Sequence, residues 1–123
     1  MNILVVDDEL FICELLEEFI SKLGYEVTTA SSGEDALSKF RQEKFEVVLL
    51  DIKMPGMNGR EVLRRIKEMD RSTGVIVLSA FGDGVTVNDM LGIGADDFLV
   101  KPFELNNLEI LLSRRQKIFA EKN

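Results

Sequence analysis

The 123-residue sequence predicts an α/β fold built on a parallel sheet. Apolar runs alternate five times with stretches of helical periodicity; the runs at residues 3–6, 47–50 and 75–78 hold no polar residue; and each of these three stops abruptly on a polar side chain. Strands covered on both faces read as continuous apolar runs, and strand–helix alternation is the signature of βαβ units. A sheet with one wet face would alternate polar and apolar residues instead.

Ile3-Leu4-Val5-Val6 forms the first strand and delivers Asp7-Asp8-Glu9 to its end. Taken alone, those acids are also natural at the start of the next helix, where negative charge gains about 0.3–1 kcal/mol. Residues 10–23 place Phe11, Ile12, Leu15, Leu16, Phe19, Ile20 and Leu23 on one half of a helical wheel, and Gly24 ends the helix. Residues 25–30 are mixed, which suits a half-exposed edge strand. Ser31 and Glu34 then have capping-box spacing, opening a helix through Phe40.

Val47-Val48-Leu49-Leu50 ends on Asp51, and Pro55-Gly56 supplies the turn that stops the strand. Asn58 and Glu61 repeat the cap spacing before a stripe of Val62, Leu63, Ile66 and Met69. Val75-Ile76-Val77-Leu78 ends on Ser79 and Ala80. Residues 81–94 hold four glycines and several β-branched residues, which predict a mobile, short or frayed helix. Phe98-Leu99-Val100 is the last strand and ends on Lys101-Pro102, where the proline biases Lys101 away from helical geometry. A final helix from residue 104 to about 119 carries Leu105, Leu108, Leu111, Leu112 and Phe119 on one face and Ile110 on the other.

The length fits a single domain over residues 1–123 with one core, and no output domain is expected in the chain. In a doubly wound, flavodoxin-like sheet of order 2-1-3-4-5, with helices on both faces, the central strands are the first, third and fourth. These are the three wholly apolar runs.

Composition narrows the chemistry. A net charge of −7, from 15 Lys and Arg against 22 Asp and Glu, argues against a direct nucleic-acid grip. With no histidine, Ser-His-Asp and Cys-His nucleophiles and the common zinc sites are excluded. Cys13, the single cysteine, excludes an internal disulfide and suits a reducing cytoplasm. Neither a signal peptide nor an apolar run long enough to span a bilayer is visible, so no membrane association is expected.

Read together, the strand ends gather Asp7, Asp8, Asp51, Ser79 and Lys101 at one edge. Two like charges about 4 Å apart repel by roughly 4 kcal/mol at an effective dielectric near 20, so a cation is needed among them. Oxygen ligands select a hard metal, and few carboxylates with room for water and a phosphoryl group suit Mg²⁺. Mg²⁺ and an amine together support phosphoryl transfer, for which a carboxylate can be the nucleophile.

The motifs Asp7-Asp8, Leu50-Asp51 with Met54-Pro55-Gly56-Met57-Asn58-Gly59, Ser79-Ala80 and Phe98-Leu99-Val100-Lys101-Pro102-Phe103 resemble those of receiver domains of two-component response regulators, over nearly the whole chain. The resemblance implies a signalling switch rather than an enzyme, one that promotes its own aspartyl phosphorylation and dephosphorylation. Asp51 would accept a phosphoryl group from a sensor histidine kinase or a histidine phosphotransfer protein. Mg²⁺ would be held by Asp8, Asp51 and the backbone carbonyl of Lys53, with Asp7 acting through water. Lys101, Ser79 and Ala80 would bind the phosphoryl group, and Ser79 and Phe98 would move with it. Lys53 and Phe81 stand where receivers tune dephosphorylation, and Phe81 is expected to shield the acyl phosphate from water. Paired Gly92 and Gly94 depart from the commoner single glycine and leave the boundaries of that helix open.

Two other classes fit parts of the pattern. A Mg²⁺-dependent phosphohydrolase of the haloacid-dehalogenase type also uses an Asp nucleophile, but with a second Asp two residues on, where this chain has Lys53. A phosphorylation-independent binding module would leave the strand-end cluster without a task.

Overall fold

The structure is a computed structural model that describes residues 1–80 and 86–122. Strands β1 (Asn2–Val6), β2 (Glu26–Ala30), β3 (Val47–Asp51), β4 (Gly74–Ala80) and β5 (Asp97–Lys101) alternate with helices α1 (Leu10–Lys22), α2 (Gly33–Gln42), α3 (Gly59–Met69), α4 (Val87–Ile93) and α5 (Leu105–Lys122). The strands form one parallel sheet in the order β2-β1-β3-β4-β5. Ile3 to Val6, all of β3, and β4 up to Ser79 are buried, whereas β2 and β5 at the edges are mostly half-exposed. The wholly apolar runs are thus the central strands.

The apolar interior is two layers, not the one core expected from length. On one face of the sheet Leu4, Val48, Leu50, Val75 and Val77 meet Leu37 of α2, Val62, Leu63 and Ile66 of α3 and Met90 of α4. On the other, Ile3, Val5, Leu49, Ile76 and Leu78 meet Leu16 and Ile20 of α1 and Leu108 and Leu112 of α5. Successive strand side chains point to opposite faces, so a sheet covered on both sides must divide its apolar residues between two layers.

Two local expectations change. The N-cap of α2 is Ser32, whose hydroxyl accepts from the Asp35 amide, so the cap lies one residue beyond Ser31. Adjacent serines, followed by adjacent acids, made both registers available. Phe11 is 72% exposed rather than packed. At about 100° per residue the buried arc of α1 centres on Leu16, Ile20 and Cys13, and Phe11 falls on its far side. In α4, Thr86 and Asp89 make a reciprocal capping box that compensates for the glycine-rich sequence, and the helix is indeed short, at seven residues before Gly94. The Asn58 cap of α3 is as expected, accepting from the Glu61 amide, and Ile110 lies on the exposed face of α5.

The amino edge of the sheet is tied by charge. The Lys67 ammonium lies 2.7 Å from Asp96 Oδ2 and donates to the Thr73 carbonyl at 2.6 Å, while the Val75 amide donates to the same Asp96 oxygen at 2.8 Å. Arg115 of α5 approaches Asp96 from the other side at 3.9 Å, crossing Gly74, where a Cβ would stand 2.6 Å from its Nε. Among the described residues no helix is long and apolar enough to cross a membrane.

The cap assignment separates two neighbouring serines. Ser32→Ala is expected to lower stability by about 1 kcal/mol in urea denaturation, and Ser31→Ala by a few tenths at most.

Candidate functional site

Parallel pairing brings the carboxyl ends of β1, β3, β4 and β5 to one edge, and the register sets them side by side. Val6 pairs with Leu50, Asp51 with Leu78, Ser79 with Val100 and Ala80 with Lys101. Asp7 therefore follows β1 directly beside the strand that ends on Asp51, and Lys101 reaches the pair from across β4. Such an edge is where open α/β sheets bind ligands.

Asp7 is fully buried and Asp51 is 5% exposed, whereas Asp8 is open to solvent. One carboxylate oxygen from each of the three lies within 4.8 Å of the others. The two buried acids are held alike: Asp7 Oδ1 accepts from the Glu9 amide at 2.9 Å, and Asp51 Oδ1 accepts from the Lys53 amide at 3.2 Å. Each carboxylate thus bonds the backbone two residues on, as the chain leaves its strand. Their Oδ2 atoms face the Lys101 ammonium, 3.1 Å from Asp7 and 3.4 Å from Asp51.

Burial pushes the Asp51 carboxyl up to about 6, against the pull of Lys101 and the Lys53 amide. Burial works against the charge on Lys101 as well, but the attraction of Asp51 and Asp7 outweighs it and raises the ammonium above the usual lysine range. Asp51 is accordingly ionised at neutral pH while held in a poorly solvated place. Three carboxylates stand together and one ammonium, shared between two of them, leaves an excess of negative charge. The donors are all hard oxygens with one acid open to water, which fits Mg²⁺ and gives zinc no imidazole or thiolate.

The remaining sequence candidates take separate places. Ser79 is buried and its hydroxyl donates to the Ala80 carbonyl at 3.3 Å, whereas Ala80 is exposed. Ala80 and Lys101 border an apolar groove of about 420 Å³ that is also lined by Ile12, Leu15 and Phe103. Phe98 is half-buried and packs with the layer that contains Met90 and Val77, away from α1 and α5. Lys53 is exposed. Phe81 lies outside the described residues. One neighbour of the site was not foreseen: Cys13, buried in α1, donates its thiol to the Asp7 carbonyl at 3.2 Å, and burial raises its pKa. Its place on the buried arc of α1, in the first turns after Asp7, is the signal that would have found it.

Comparison with known proteins agrees with this geometry. The response regulator receiver domain family matches residues 3–113. The probable transcriptional regulator ycf27 of Guillardia theta is 46% identical over 88% of this chain, which spans only 42% of that protein. The chemotaxis protein CheY of Thermotoga maritima is 37% identical over 94% of this chain and 98% of its own length. Among solved structures, the response regulator protein TrrA of Thermotoga maritima in complex with Mg²⁺-BeF superposes with a TM-score of 0.84 at 38% identity, over 93% of this chain and 97% of that one. With the strand-end acids, the shared lysine and the 2-1-3-4-5 sheet all in hand, the chain belongs to the receiver domains of two-component response regulators.

Proposed function

We propose that this receiver domain is a phosphorylation-activated switch in the cytoplasm in which Asp51 accepts a phosphoryl group from the phosphohistidine of a sensor histidine kinase or histidine phosphotransfer protein. The observation that carries the reading is the Lys101 ammonium shared between Asp7 and Asp51, with Asp8 beside them. Asp8, Asp51 and the Lys53 carbonyl would hold Mg²⁺, with Asp7 acting through water. When bound there, Mg²⁺ offsets charge on the phosphoryl oxygens during in-line transfer.

The chain's own residues do the rest. Ionised Asp51 attacks phosphorus; the new O–P bond forms as the N–P bond of the phosphohistidine breaks, and the donor imidazole leaves with the electron pair. Lys101 turns from the carboxylates to the incoming phosphoryl oxygens, a charge-assisted contact stronger than a neutral hydrogen bond. The acyl phosphate carries roughly −1.5 to −2 charges in place of the single charge of the carboxylate, and it brings three acceptor oxygens. The Ser79 hydroxyl exchanges its bond to the Ala80 carbonyl for one of those oxygens, with the Ala80 amide beside it. Phe98, on the strand that pairs with β4, moves with that exchange and carries the change toward α4. Shifting a population from 1:99 to 99:1 needs about 5.5 kcal/mol, within reach of several such contacts.

Incubation with acetyl phosphate and Mg²⁺ is expected to add one phosphoryl mass, read by intact mass spectrometry. The adduct should vanish in Asp51→Asn or on chelation; an adduct that persists in Asp51→Asn would reject the assignment.

The protonation state of the site is separately testable in metal-free protein. The Asp51 carboxyl, followed by ¹³C NMR, is expected to titrate near pH 6, and Lys101→Met should move that midpoint upward by removing the facing cation. An unmoved midpoint would mean that the lysine does not hold the acid.

Stability follows with a definite sign. The folded state binds the Asp51 proton more tightly than the unfolded chain, so the contribution of this group falls as pH rises from 3.8 toward 6. Asp51→Asn keeps the neutral form at every pH. Without metal it should therefore stabilise the fold at pH 7 by roughly 1–3 kcal/mol in urea denaturation, with the gain disappearing below about pH 4.

A further inference from the structure

Gly33 opens α2 beside Met57 of the β3–α3 turn. Its φ is not positive, unlike those of Gly24, Gly56 and Gly94, so backbone geometry does not call for glycine there. Glycine is a poorer helix former than any residue but proline. Helix formation does not explain the residue either. Space does: a Cβ on Gly33 would lie 2.8 Å from Val62 Cγ2, 3.1 Å from Met57 Cβ and 3.3 Å from the Met57 carbonyl oxygen.

Met57 belongs to the turn that carries Lys53. That turn is pinned at its base, where the Gly59 amide donates to the Ile52 carbonyl at 3.1 Å and a Cβ on Gly59 would meet Ile52 Cα at 2.6 Å. Its outer bend at Gly56 and Met57 rests on the first turn of α2, with Glu34 Oε1 3.8 Å from where a Gly56 Cβ would stand. The two possible ways of relieving a methyl at residue 33 are unequal. Val62 is fully buried, β-branched and packed between α3 and the sheet, so it has little room to turn. The turn has one open side, since Lys53, Pro55 and Gly56 are exposed. It is the part that yields.

We infer that Gly33 is a positioning residue for the metal site: by having no side chain it lets the β3–α3 turn seat against α2 and so sets the height of the Lys53 carbonyl relative to the Asp51 carboxylate. This rests on the Mg²⁺ reading given above, and no contact between Gly33 and the metal is involved. Residues that orient a ligand from behind commonly change metal affinity by 10–100-fold when altered.

The test is Mg²⁺ titration followed by backbone amide NMR. In Gly33→Ala the Kd for Mg²⁺ is expected to rise about tenfold, with the Lys53 and Met57 amides displaced before metal is added. Adding Val62→Ala, which removes the obstructing methyl, should restore much of the affinity. Gly92→Ala serves as a control, since a Cβ there meets nothing within 4 Å, and should bind Mg²⁺ normally. Met57→Ala, which frees the turn from its own side and leaves α2 intact, should weaken binding in the same direction and decides the question if Gly33→Ala does not fold. Native affinity in folded Gly33→Ala, or in Met57→Ala where the first does not fold, overturns the inference, as does an equal loss in Gly92→Ala. If the unaltered protein shows no Mg²⁺-dependent shifts, the metal reading itself fails; if it binds and the variants match it, only the role of Gly33 fails.

Discussion

The arrangement depends on one ammonium group. Lys101 is the cation between two buried carboxylates that end neighbouring strands, and a parallel sheet forces those carboxylates together. Without it, Asp7 and Asp51 would face each other across a poorly solvated space, where a charge must be paired or neutralised. The pairing is incomplete, because a third carboxylate stands beside them and Asp51 remains harder to ionise than an ordinary aspartate. The site is thus electrostatically unfinished, and what offsets its excess is positive charge, from a divalent cation or a proton.

The backbone makes that imbalance durable. Both buried acids are anchored through Oδ1 to an amide two residues downstream, so their remaining oxygens point at Lys101. Each anchor forms where a strand gives way to a turn, and the turns are themselves fixed. After Asp7 comes the first turn of α1, with Cys13 donating to the Asp7 carbonyl; after Asp51 comes a turn stapled by Ile52 and Gly59 and seated on α2. Packing in both layers thereby reaches the charged edge through short covalent paths rather than through the charges themselves.

Most of this was legible in the residue order. Uninterrupted apolar runs mark strands covered on both faces, and their abrupt polar ends place Asp7, Asp51, Ser79 and Lys101 on one edge as soon as the sheet is parallel. What stayed hidden depends on distances that one-dimensional patterns do not carry. Ser31 and Ser32 offer equivalent capping chemistry, and only the entry of the chain from β2 decides between them. Phe11 looks apolar enough to be buried, but the arc covered by the sheet is narrower than the arc of apolar residues on α1. The thiol of Cys13 and the missing side chain of Gly33 act on the site from separate helices, which sequence spacing alone does not connect. Division of the interior into two layers follows from strand alternation and corrects the simpler picture of one core.

The two edges of the sheet are built on opposite terms. At the amino edge Asp96 has its charge met by Lys67 and Arg115 and one oxygen bonded to the Val75 amide, so α3, β4 and α5 converge on a carboxylate whose demands are satisfied. At the carboxyl edge one ammonium is shared between two buried carboxylates, and a third carboxylate stands beside them. Strand β5, which begins next to Asp96 and ends on Lys101, is therefore fastened at its start and answerable to chemistry at its finish. Asp96 in this sense fixes the start of β5, so whatever Lys101 pairs with acts on a strand whose other end is already held.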